Sequence, residues 1–395
     1  MDLEQRKITR IHDFSMNLEN MKSRLNSLRQ KHPSGVIIPL LGSELETPAL
    51  KQIFKELNKC DYLQKVFIAL SAVDQKNYED ALRMAKESKV PCEVIWCNKP
   101  EVEAVLKELK KKGLDVTKQA GKGKDIWIAV GIASLELYAF ALHDGDIISY
   151  SERLPTKLLY PVIEPKLDFF FAKGYYTRVN VEKRKMYGRI YRLFINPLLE
   201  ALQDKLPNCS EFIRYLQSFS YPLSGEIAIY SDLALNLRIP CDWGLEIGML
   251  SELFRNVSNK RVFEVDLGFY EHKHKGMAKD GLLRSAEDSL VTLLRTLTET
   301  DGLEVSEQFL LSLQVLYRRI AQDKIRQYNA DALGNELDYD RHEEESSVDS
   351  LSKAIMNAGK RYMKNPSGTQ LPDWLRAISA MPNIRERLRE SAIEQ

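Results

Sequence analysis

Between Gly35 and Leu142 the chain alternates short apolar runs with longer segments of helical spacing, and few folds accept that alternation. Gly35–Leu41, Val66–Ser71 and Cys92–Trp96 are nearly continuous apolar runs, as strands buried on both faces require. Helical segments open at Thr47-Pro48-Ala49-Leu50, at Asn77-Tyr78 and at Glu101. Thr47 suits an N-cap and Pro48 the first helical position. Ile126, Trp127, Val130 and Ala133 then mark a helix over Asp125–Ala133, and Leu137–Leu142 a further strand. Strands joined by helices pair in parallel, so the expectation is an α/β sheet with helices on both faces. Ligands of such sheets bind beyond the carboxyl ends of the strands.

Residues 1–34 read as a polar N-terminal helix, and residues 35–150 as the α/β half. Residues 151–275 are mixed α+β and rich in aromatics, forming a second half. Residues 276–395 read as a helical extension, with amphipathic helices over Leu282–Leu297, Ser306–Tyr328 and Ser350–Met363 and a charged loop at Arg341–Ser347. The 57 basic and 56 acidic residues nearly cancel, which argues against a polybasic nucleic-acid partner. The five cysteines are scattered, so a disulfide framework is not expected and a reducing compartment fits. Cys92 and Cys97 stand too far from other cysteines or histidines to read as a zinc site. No apolar stretch follows the charged start Met1–Lys7, and Ile126–Leu142 is too short and too mixed to span a bilayer. A cytoplasmic protein with no membrane partner is expected.

Five segments could carry chemistry. Asp144-Gly145-Asp146 follows a buried strand, and two carboxylates so spaced can hold a hard divalent cation, although Asp and Gly also make ordinary turns. His272-Lys273-His274 could complete such a site or be a solvated loop. In Gly121-Lys122-Gly123-Lys124, glycines could bring backbone N–H groups to an anion at a helix start. Tyr221–Glu226 and Asp242–Glu246 pair a flexible glycine with a glutamate, Glu246, in the first turn of an apolar helix. Lys173 and Arg178 at a glycine-containing turn, with Gly188-Arg189, could grip a carboxylate or phosphate. Walker, G-x-G-x-x-G, G-x-S-x-G and H-E-x-x-H patterns are absent.

The order of these segments carries more than any one of them. The D-x-D at a strand end, P-L-S-G-E at Pro222–Glu226, W-G-L-E-I-G at Trp243–Gly248 and V-D-L-G-x-x-x-H at Val265–His272 follow one another as in a single family. Over roughly residues 35–275 the chain resembles the retaining GT-A glycosyltransferases that make glucosyl-3-phosphoglycerate, and the similar mannosyl-3-phosphoglycerate synthases. The resemblance implies a Rossmann-like nucleotide-sugar-binding sheet, a nucleotide-sugar donor, 3-phosphoglycerate as acceptor, and Mg²⁺ or Mn²⁺. It implies donor contacts from Pro39, Leu41, Glu44, Ser71, Lys122, Asp144, Leu223 and Gly225. Asp146 and His272, with Asp144 beside them, match the metal site. Gly188, Arg189, Ser224 and His274 match the acceptor side. Glu246 would orient the sugar and acceptor hydroxyls, and Arg189 would hold the acceptor's anionic group.

The implied reaction moves glucose to the 2-hydroxyl of 3-phosphoglycerate with retention, toward a glucosylglycerate compatible solute. A mannosyl-3-phosphoglycerate synthase using GDP-mannose, and a non-catalytic nucleotide-sugar-binding protein, are the competing readings. The amphipathic tail leads to the expectation of a homodimer.

Overall fold

The computed structural model describes residues 3–180, 182–206, 210–271, 279–368 and 370–393. The chain begins with β1 (Thr9–Ile11) and α1 (Leu18–Leu28). Then β2 (Ser34–Leu41), α2 (Pro48–Leu57), β3 (Leu63–Ser71), α3 (Gln75–Lys86), β4 (Cys92–Trp96) and α4 (Pro100–Lys111) alternate. Thr47 caps α2, its hydroxyl accepting the Leu50 N–H at 3.3 Å. Next come α5 (Lys122–Ala133), β5 (Ala139–Leu142) and α6 (Arg153–Ile163).

The second half holds β6 (Phe171–Thr177), the short hairpin β7 (Val179–Asn180) and β8 (Lys185–Met186), α7 (Asn196–Lys205) and α8 (Glu211–Leu216). It continues through β9 (Ile227–Tyr230), α9 (Ser231–Leu235), α10 (Leu245–Asn256) and β10 (Val262–Phe269). Helices α11 (Lys279–Asp301), α12 (Glu307–Gly334), α13 (Arg341–Lys364), α14 (Trp374–Ala380) and α15 (Ile384–Ala392) close the chain.

Eight strands make one sheet in the order β1-β10-β6-β9-β5-β2-β3-β4. All pairings are parallel except those of β9, which runs antiparallel to β5 and β6. The apolar interior lies on both faces of the sheet. On one face it continues without a break into the C-terminal helices. Trp374 of α14 stacks on Trp127 of α5 with ring centroids 4.0 Å apart. A side chain at Gly131 would meet the Trp374 ring at 2.1 Å, so only glycine seats that contact.

Two expectations are corrected here. The N-terminal segment is not only a helix, because Thr9–Ile11 adds an edge strand beside β10. A three-residue polar strand has no periodicity of its own; it forms because β10 offers an open edge. Arg341–Ser347 is not a loop but the start of α13. Asp340 caps it by accepting the Glu343 N–H at 3.0 Å, and acidic residues in the first turn suit the helix dipole. Among the described residues, no helix is long and apolar enough to cross a membrane.

Candidate active site

Strand β5 ends at Leu142, and the next residues turn away from the sheet beside the start of α5. This brings Asp144 to Lys122, with Nζ and Oδ1 2.5 Å apart. Both keep about a third of the side chain open, 39% for Lys122 and 33% for Asp144, so a ligand can reach them. Pro39, Ser224, Gly225 and Glu246 line the same narrow cavity. A Cβ on Gly225 would stand 3.1 to 3.4 Å from the Asp144 carboxylate, so the glycine keeps that carboxylate's near side open.

The electrostatics follow from crowding of charge in a recess. Burial would lower the Lys122 ammonium, but the carboxylates of Asp144 and Glu246 outweigh it and hold the amine charged. Burial pushes the Glu246 carboxyl above the usual range, against the pull of Lys122 and Lys173. Burial, then Asp144 and Glu44, push Asp146 up to about 7. His143 lines the cavity but is buried, and burial pushes its imidazole down to about 3. It therefore stays neutral, set edge-on to Tyr150.

Two buried groups here take places that their sequence segments did not foretell. Lys173 was expected at a turn, but it sits inside strand β6, 2% exposed, and its Nζ donates to the Ser224 carbonyl at 2.7 Å. Burial pushes its amine down to about 8. Glu226 is fully buried and accepts from Tyr176 Oη at 2.6 Å and Tyr270 Oη at 2.8 Å. Lys173 thus holds the Ser224 carbonyl, and the Glu226 carboxylate accepts the Ser224 hydroxyl at 3.2 Å. A charged residue among the apolar neighbours of a strand was the available signal for Lys173.

The other candidates are spread over several places. Glu44 and Leu41 form a turn after β2, where Glu44 Oε2 accepts the Leu41 N–H at 3.0 Å. Ser71 ends β3 and donates to Asp125 at 2.8 Å. Leu223 packs against the apolar interior. The Gly123 N–H donates to the Cys241 carbonyl at 3.3 Å, and a Cβ there would meet the Pro240 carbonyl oxygen at 2.2 Å. That glycine serves close packing and does not cradle an anion; Lys122 alone of this segment faces the cavity. Gly188 and Arg189 lie on a second, larger cleft of about 1270 Å³, walled by the β7–β8 hairpin and the start of α13. Gly188 has φ +80°, a conformation glycine takes freely. His272 and His274 lie outside the described residues.

A parallel series interrupted by one antiparallel strand, with acidic residues just past the neighbouring strand end, is the sheet of the GT-A glycosyltransferases, and fold and cavity assign the chain to that class. No family model matches it. A glucosyl-3-phosphoglycerate synthase of Methanococcoides burtonii is 46% identical over 396 residues, spanning 100% of this chain and 98% of the relative. One of Persephonella marina is 38% identical over 389 residues, spanning 96% and 95%. The chain therefore belongs to the glucosyl-3-phosphoglycerate synthase family and is a hexosyltransferase. Its fold is similar to that of the Mycobacterium tuberculosis synthase crystallised with Mn²⁺, UDP-glucose and phosphoglyceric acid. That likeness has a TM-score of 0.55 at 20% identity, over 76% of this chain and 89% of the other.

Proposed function

We propose that this protein moves glucose from a nucleoside-diphosphate glucose to the 2-hydroxyl of 3-phosphoglycerate, with retention at the sugar carbon. The observation that carries this reading is the cavity where Lys122, Asp144, Lys173, Ser224, Gly225 and Glu246 converge, in a chain aligned end to end with synthases of that name. The bond from the sugar carbon to the diphosphate breaks, and the bond to the acceptor oxygen forms on the same face. The acceptor proton leaves with the departing diphosphate. Lys122 stabilises the charge that develops on that diphosphate. Glu246 orients hydroxyls of the sugar and acceptor. Lys173 keeps the Ser224-Gly225 backbone against the sugar. Arg189 receives an anionic group of the acceptor.

A divalent cation fits the residues present. Asp144 and Asp146 offer hard oxygen donors, and burial first, then the neighbouring Asp144 and Glu44 carboxylates, raises Asp146, as suits a carboxylate that a cation would stabilise. Among the described residues no three His, Cys, Asp or Glu side chains cluster as a complete ligand set, and His272 lies outside them. Bound there, Mg²⁺ or Mn²⁺ would supply Lewis acidity to the diphosphate.

The test is a release assay. The protein is incubated with Mg²⁺ or Mn²⁺, 3-phosphoglycerate, and in turn UDP-glucose, GDP-glucose, ADP-glucose and GDP-mannose, while free nucleoside diphosphate is followed. Release that requires acceptor and metal is expected with a glucose donor. Release with GDP-mannose alone would replace glucose by mannose in the reading, and no release with any donor would overturn it. Loss of retention in the product's anomeric NMR signals would overturn the same-face step. The protein is further proposed to act as a cytoplasmic homodimer; a monomeric mass by light scattering at micromolar concentration would contradict the dimer.

A further inference from the structure

The C-terminal extension holds three arginines of the second half, Arg184, Arg189 and Arg192. The Asp338 N–H donates to the Arg184 carbonyl at 2.6 Å, and Arg184 Nε donates to the Glu336 carbonyl at 2.7 Å. Arg192, 7% exposed, donates from Nη1 to Glu344 at 2.9 Å and from Nε to the Tyr187 carbonyl at 2.9 Å. Arg189 Nε donates to the other oxygen of the same Glu344 at 2.9 Å.

Glu344 is thus a buried carboxylate, 5% exposed, divided between two guanidiniums. One of them is interior. The other, Arg189, reaches the large cleft and keeps 34% of its side chain accessible. Glu343, half-exposed at 52%, pairs with Arg189 as well, at 2.6 Å from Nη2. An arginine on a glycine-containing turn has many rotamers, and holding one of them costs entropy. A buried carboxylate held in a helix start restrains the guanidinium before ligand arrives, and the two glutamates engage only part of its donor set.

We propose that Glu344 of α13 is a positioning residue for acceptor binding, holding the Arg189 guanidinium at the cleft so that the C-terminal extension forms the back wall of the acceptor site. This rests on the reading that Arg189 receives an anionic group of the acceptor. The ligand class is a small phosphorylated carboxylate, for which a restrained planar fork is the suitable host. Glu344 acts through Arg189 and touches no substrate itself.

The test uses the full chain carrying Glu344→Gln and, separately, Glu344→Asp. Glu344→Asp keeps the charge that neutralises interior Arg192 but is too short to span both guanidiniums, so it guards against simple loss of fold. Initial rates are measured with 3-phosphoglycerate and the nucleotide sugar varied independently, and melting is followed by circular dichroism. The KM for 3-phosphoglycerate should rise on the order of tenfold or more in both variants. The KM for the donor and kcat at saturating acceptor should change less than about threefold. Glu344→Asp that melts like wild type with an unchanged acceptor KM overturns the proposal, as does an equal rise in both KM values.

Failure of the underlying reading looks different. If wild type binds 3-phosphoglycerate by calorimetry but transfers nothing to it, the transfer reading falls, and weaker binding by Glu344→Asp still upholds the positioning role. If wild type neither binds nor glycosylates 3-phosphoglycerate, both fall.

Discussion

Around Lys122 and Asp144 the narrow cavity is assembled from strand ends and helix starts of the sheet, its central ion pair only 22 residues apart although its walls run from Pro39 to Met249. Around Arg189 the wide cleft depends on partners 155 residues away, on a helix that packs outside the sheet. The first arrangement comes with the α/β framework itself: strands that end together place whatever follows them together. The second needs an additional body of structure to give one arginine a direction. On the proposed assignment, the same sheet would keep its donor-side chemistry while its acceptor side is defined by what is packed behind it.

The strongest way to break this division is kinetic. Asp144→Asn and Lys122→Met should each lower kcat/KM by about two to three orders of magnitude, with the loss seen in donor dependence. Arg189→Ala should raise the acceptor KM instead. If Arg189→Ala raised both KM values alike in steady-state assays, the two regions would not be separate. Lys173→Met tests the clamp behind the narrow cavity. It removes a buried charge from a strand and the bond to the Ser224 carbonyl, and kcat/KM should fall about ten- to a hundredfold while the protein stays folded. Wild-type rates from this variant would remove Lys173 from the site.

Two smaller effects concern the walls. Gly131→Ala should destabilise by about 1–3 kcal/mol in urea unfolding, because the new methyl overlaps the Trp374 ring. An unchanged midpoint would mean that α14 is not needed behind α5. Asp125, just past the Lys122 helix start, is pushed up to about 6 by burial. A carboxyl raised in the folded state binds its proton more tightly there than in the unfolded chain. Its contribution is complete below about pH 4 and is lost as pH climbs through about 6. Asp125→Asn should therefore match wild type near pH 4 and exceed it by about 1–2 kcal/mol at pH 7. Equal pH dependence of the two melting curves would contradict this.

Particular residues show what could be read in advance. The apolar runs at β2, β3, β4 and β5 lie where the alternation put them, since strands buried on both faces leave a continuous apolar signature. Thr47 and Pro48 open a helix for local reasons that need no partner. The burial of Lys173 and Glu226 was hidden because a buried charge is identified by its surroundings, and those come from β9, β10 and the Tyr176 and Tyr270 rings. The Arg341–Ser347 charge run looked solvated because the arginines that occupy Glu343 and Glu344 lie more than 150 residues earlier. Gly123 looked like an anion cradle because its real neighbour, the Pro240-Cys241 backbone, is distant in sequence.

What the chain determined by itself was therefore local: element type, helix starts, and the placing of Asp144 just past a strand of the parallel series and of Lys122 at a helix start. These depend on periodicity, capping and short connections, all written within a few dozen residues. Tertiary structure alone decided the antiparallel insertion of β9, the pairing of β1 with β10, and the burial that sets the charge state of Lys173, Asp125 and Asp146. It also decided that Arg189 answers to a helix at the other end of the chain. Desolvation and long-range ion pairing depend on which surfaces meet, and no local pattern encodes that meeting.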